Sequence, residues 1–75
     1  MKLPEAIALM LEGKVMASDR NLLDGSFLMR ANERVARLFA FEWYSRFRRE
    51  WDTVQSIPSD GWREATPEEL REIGL

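Results

Sequence analysis

A chain of 75 residues with a formal net charge of −2 and neither Cys nor His makes one small domain without a disulfide framework and without the usual zinc, haem or iron–sulfur ligand sets. The longest helical apolar run, Ala6 to Leu11, is flanked by Glu5 and Glu12. It is too short for a bilayer span of roughly 20 residues and unlike a signal peptide, so no membrane association and a cytoplasmic location are expected. A single domain of this size buries only about 60% of its unfolded surface, so a homo-oligomer is expected to supplement the core.

Pro4 suits the first turn of a helix and Glu5 the positive end of its dipole. Ala6, Ile7, Leu9, Met10 and Leu11 then build an apolar face, and Gly13 closes it, which predicts a helix over about residues 3–12. Lys14, Val15 and Met16 begin an extended segment, followed by a loop composition from Ser18 to Gly25 with Asp24-Gly25 as its turn. Ser26 to Arg30 reads as a strand, with Phe27 and Met29 on one face and Leu28 and Arg30 on the other. Ala31 to Arg34 reads as a tight connection, after which the chain returns antiparallel.

Val35 to Trp51 holds six of the eight aromatic residues. Phe39, Trp43, Phe47 and Trp51 stand four apart, which satisfies a helical stripe and a two-residue alternation equally well. Helix formers and a plausible N-cap at Asn32 favour one long helix over 33–54. The β-preferring Phe41, Trp43, Tyr44, Thr53, Val54 and Ile57 favour strands, which then need a turn near Glu42 to Ser45. On strands, Trp43, Phe47 and Trp51 would share one face and Tyr44, Arg46 and Arg48 the other. Further on, Pro58 to Gly61 is a turn, Trp62 to Ala65 a terminal strand, and Thr66-Pro67-Glu68-Glu69 a capped helix start that docks through Leu70 and Ile73.

Residues 30–49 carry six arginines against Glu33 and Glu42, a balance of +4, whereas residues 50–75 carry seven acids against Arg63 and Arg71, a balance of −5. The two segments can neutralise each other, or the basic one can bind an anion. Duplex DNA is not an expected partner, because the acidic tail opposes a polyanion. No enzyme activity and no cofactor are expected. The serines lack a His to activate them, the four glycines form no phosphate loop, and the carboxylates Glu42, Glu50, Asp52 and Asp60 read as solvated surface. The mixture of Trp43, Tyr44, Arg46 and Arg48 is the kind that stacks on bases and pairs with phosphates, and it forms the candidate ligand site. The competing reading has these aromatics in the core and the arginines paired with Glu50, Asp52 and the acidic tail.

Pro4-Glu5-Ala6-Ile7-Ala8-Leu9-Met10-Leu11-Glu12-Gly13-Lys14-Val15, together with Trp51, Ile57 and Asp60-Gly61-Trp62-Arg63, resembles the two ends of a family of small phage and prophage proteins. That family includes the Thoeris anti-defence proteins, oligomeric sponges for nucleotide immune signals. The resemblance implies an α+β fold with an N-terminal helix packed on a small antiparallel sheet, to which the Thr66 capping box adds a short C-terminal helical turn. It also implies sequestration of a nucleotide signal against host defence. Where the family carries an Arg followed by a Trp, this chain has Arg20 and no Trp, so Arg20 joins the candidate site. The alternative function is inhibition of a host protein through the same surface or the acidic tail.

Overall fold

The computed structural model describes residues 1–20, 25–35 and 38–74, with side chains described outside 33–39. The N-terminal helix α1 spans Leu3–Leu11 and carries Pro4 in its first turn. It buries Ala6 and Met10, one helical turn apart on a single stripe. Gly13, at φ 98°, ends it. There the amides of Gly13 and Lys14 reach back to the carbonyls of Met10 and Leu9, satisfying two of the last orphan acceptors.

Five strands follow: β1 Met16–Ser18, β2 Phe27–Val35, β3 Leu38–Ser45, β4 Glu50–Thr53 and β5 Trp62–Glu64. They form one sheet in the order β4-β3-β2-β1-β5, with every adjacent pair antiparallel. The fold is α+β, as the resemblance implies. The alternative of a long helix over 33–54 is replaced by β3, a turn and β4 within that range. Paired strands on both sides of β3 provide the backbone partners that make the two-residue period win over the four-residue one.

Cross-strand partners share a face, so the register sorts the side chains. Met16 pairs with Met29, Ser18 with Phe27 and Trp62, Met29 with Trp43, and Ala31 with Phe41. This face meets α1, and Ala6, Met10, Met16, Phe27, Met29 and Trp62 form the buried core with Trp43 and Phe41 packed against it. The opposite face carries Ala17, Leu28, Arg30, Glu42, Tyr44, Trp51 and Arg63.

Three expectations about the middle of the chain are corrected. β2 continues through Ala31, Asn32 and Glu33, which pair with Phe41, Ala40 and Phe39, so Ala31 to Arg34 is strand rather than connection. The turn expected near Glu42 to Ser45 lies at Arg46 to Arg49, between the paired Ser45 and Glu50. A four-residue turn needs a left-handed position, and Arg49 supplies it at φ 55° without being Gly or Asn, so the sequence carries no ordinary turn signal. Buried Ser45 holds the turn by accepting a hydrogen bond from the amide of Arg48 at 3.2 Å. Because the turn falls there, Trp43 and Trp51 lie on opposite faces and Phe47 projects at the tip, rather than all three sharing one face.

The second helix, α2, spans Pro67–Glu72 and has the expected capping box, with Thr66 and Glu69 satisfying each other's backbone amides. Six residues are too few to hold a helix by themselves. Leu70 and Ile73, expected to dock it, are half-buried, while the tethers are polar. Glu69 is buried between Arg63 and Ser26, and Glu72 accepts from Arg46.

Candidate functional site

Trp43 is fixed from several directions. Its strand neighbours are Met29 and Asp52, its indole stacks on Phe27 with centroids 6.0 Å apart and planes 12° from parallel, and its Nε1 donates to the Thr53 carbonyl at 3.1 Å. Phe27 in turn meets Trp62 edge-on at 6.2 Å. Trp62 donates from Nε1 to the carbonyl of Pro58 at 2.9 Å, which anchors the segment after β4. On the other side, buried Ser18 donates to the Asp60 carbonyl at 2.9 Å and accepts from the Arg20 amide. Arg20 Nε then pairs with the Asp60 carboxylate at 2.9 Å. Between these anchors lies a cleft of about 540 Å³, floored by Phe27 and Trp43 and walled by Arg20, Asp52, Ile57 and Pro58. Its size is that of a small-molecule site, and its lining mixes the apolar Phe27, Trp43, Ile57 and Pro58 with the polar Arg20, Asp52, Thr53, Gln55 and Ser56.

Gly61 makes this arrangement possible. It has φ 74°, and a Cβ there would stand 2.8 Å from Arg20 Cγ and 3.4 Å from Ser18 Oγ. Only a residue without a side chain lets the Arg20 stem lie this close to the Asp60 turn.

The expected ligand residues are not gathered in one place. Arg20 and Trp43 line the cleft, whereas Tyr44 and Arg46 line a second recess of about 300 Å³ with Arg49 and Glu72. Arg46 is structural: Nε pairs with Glu72 at 2.7 Å and the other two nitrogens donate to the carbonyl and hydroxyl of Ser26, tying the β3–β4 turn to α2. The Tyr44 hydroxyl donates to the Glu72 carbonyl at 3.3 Å. Arg48 pairs with Asp52 and with Glu50. Arg48 and the Thr53 amide hold the Asp52 carboxyl below the usual carboxylate range. The arginine pairing with Glu50, Asp52 and the acidic tail, the competing reading of the sequence, accounts for Arg46 and Arg48.

Arg30 and Glu42, which sequence reasoning did not place in the site, also shape these surfaces. The Arg30 guanidinium sits over the Trp51 ring, 4.0 Å from its centroid, and 3.4 Å from Glu42, while Tyr44 meets Trp51 edge-on at 5.4 Å. Glu42 is buried with a basic neighbour and is not the solvated carboxylate its spacing suggested. Phe27 meets Asp52, Thr53 and Gln55 to Pro58 in the cleft because β4 pairs with β3 only as far as Thr53 and the chain leaves the sheet beyond it. No spacing rule announces that. On the far corner, Arg63 clasps Asp19 at 3.0 Å and Glu69 at 2.7 Å. With help from Ser26 and Thr66, this lowers the Glu69 carboxyl to about 2.

Family models, curated proteins and solved structures yield no match to this chain. Among the described residues no group of acids could hold a metal ion, and no helix is long and apolar enough to cross a membrane.

Proposed function

We propose that the protein is a phage-derived, non-enzymatic binding protein of the host cytoplasm that sequesters a nucleotide signal and so counters host defence. The observation that carries the reading is the 540 Å³ cleft, where an aromatic floor of Trp43 on Phe27 stands beside the guanidinium of Arg20. A base stacks on an indole whatever its identity, and a guanidinium attracts phosphate; Arg20 is engaged with Asp60 through Nε and Nη2, so a phosphate would meet it beside that carboxylate. Asp52 does not repel such a ligand strongly, since Arg48 already neutralises it. The absence of His and Cys from the chain favours retention of a ligand over its conversion. The resemblance of the chain ends to a family of nucleotide sponges points the same way and supplies the biological setting.

Calorimetric titration with a panel of mononucleotides, cyclic dinucleotides and ADP-ribose-type compounds tests this. Binding is expected for at least one, with Arg20→Ala weakening it at least tenfold while the melting temperature changes little. Arg20 is 65% exposed in its side chain, so its loss leaves the core untouched. No heat with any compound would overturn the reading. The second reading, a protein that blocks a host protein, is favoured by Phe47, which is 94% exposed at the β3–β4 turn. Its test is Phe47→Asp, which would abolish co-purification of the host protein and leave nucleotide titrations unchanged.

A further inference from the structure

At Arg49 the chain breaks a local rule in favour of a side chain. The residue closes the β3–β4 turn at φ 55°, where Gly or Asn would stand with less strain. Its guanidinium has no ion pair among the described residues, although Arg46 and Arg48 on the same turn are both paired. Neither the backbone nor a partner within the chain accounts for an arginine here. A strained position kept for a side chain that the fold does not use points to a ligand.

Arg49 lines a recess of about 300 Å³ with Tyr44, Arg46 and Glu72. That volume lies at the lower end of the range for ligand pockets and suits a molecule smaller than the one the Trp43 cleft would hold. Arg46 is engaged through Nε with Glu72 and through Nη1 and Nη2 with Ser26. A guanidinium carries five N–H groups, so Arg46 keeps donors to spare. Arg46 and Arg49 against Glu72 leave the recess a balance of +1.

Each group matches a different part of one kind of molecule. The two guanidinium forks suit the oxygens of a phosphate. Arg46 holds Oε2 of Glu72, and the carboxylate is 45% exposed, so it accepts from hydroxyl groups and disfavours a bare anion. The Tyr44 hydroxyl is taken up by the Glu72 carbonyl at 3.3 Å, which leaves its ring to serve as an apolar wall. We propose that this recess binds a small phosphorylated sugar or polyol, with the phosphate on Arg49 and Arg46 and a hydroxyl on Glu72. Free phosphate brings no carbon-borne hydroxyl and meets Glu72 as a like charge, while an unphosphorylated sugar gives the arginines no anion. No residue lines both this recess and the Trp43 cleft, so the site goes beyond the nucleotide reading and stands without it.

Calorimetric titration at constant ionic strength with ribose 5-phosphate, glucose 6-phosphate and glycerol 3-phosphate tests the site, with inorganic phosphate and ribose as the separate parts. At least one ester is expected to bind about tenfold or more tightly than inorganic phosphate, and ribose not at all. Arg49→Gly and Arg49→Asn both tolerate the left-handed turn and lose the guanidinium. Each is expected to weaken the ester by about tenfold or more with the melting temperature unchanged or raised. Failure of every ester to bind, inorganic phosphate matching the best ester, or ester binding that survives both substitutions would each overturn the proposal.

Discussion

Arg49 and Gly61 both hold backbone conformations that L side chains adopt at a cost, and they respond oppositely to substitution. Arg49 sits at φ 55° with no ion pair among the described residues, so Arg49→Gly removes left-handed strain and loses no salt bridge. It is expected to stabilise the protein by about 0.5–1 kcal/mol in urea unfolding, the strain relief being partly offset by the greater chain entropy of Gly. Gly61 is the reverse case. At φ 74° with Arg20 and Ser18 closing on its missing side chain, Gly61→Ala is expected to cost about 1–3 kcal/mol and to free Arg20 from Asp60. A melting curve beside that of Arg20→Ala separates the parts. Arg20→Ala removes only an exposed ion pair and is expected to leave the melting temperature nearly unchanged.

At the scale of elements, short α2 depends on ion pairs that the pH controls. The Glu69 carboxyl is lowered to about 2 from an ordinary 4.5, chiefly by Arg63. A lowered folded value means that its stabilisation is fully present above about 4.5 and is lost as pH falls toward 2. Glu69→Gln is therefore expected to lower stability at pH 7 by on the order of 2 kcal/mol and to flatten the acid limb of the stability curve between those values. An unchanged acid limb in urea midpoints against pH would refute this account. Arg46 belongs to the same clasp. With its side chain 22% exposed and three donors engaged, Arg46→Ala is expected to cost about 1–3 kcal/mol. Arg48→Ala, at an exposed pair on the turn, leaves the melting temperature nearly unchanged. This contrast assigns one arginine to structure although the two look equivalent in the sequence.

Across the whole molecule, the basic middle and the acidic tail meet in Arg46–Glu72, and acids from both ends converge on Arg63. The segmental charge asymmetry is thus largely consumed in folding. The cleft over Phe27 and Trp43 lies beside that network and opens to solvent.

Both helices were legible locally. Pro4 and Gly13 bracket the first, and the Thr66 to Glu69 box starts the second, because capping is settled by neighbours within four residues. The inside and outside of Phe27 to Arg30 were equally plain, since alternation across a pleat is a property of the strand itself. Four-residue spacing from Phe39 to Trp51 could not decide between helix and strand, because it fits both periods. Only pairing with β2 decides for strands, and only an Arg in a left-handed position places the turn at 46–49. That placement puts Trp43 under the cleft, Trp51 beneath Arg30 and Phe47 in solvent. The aromatic and arginine residues that the sequence lists together are therefore divided between two faces and a tip, a division set by long-range backbone pairing and by no local pattern.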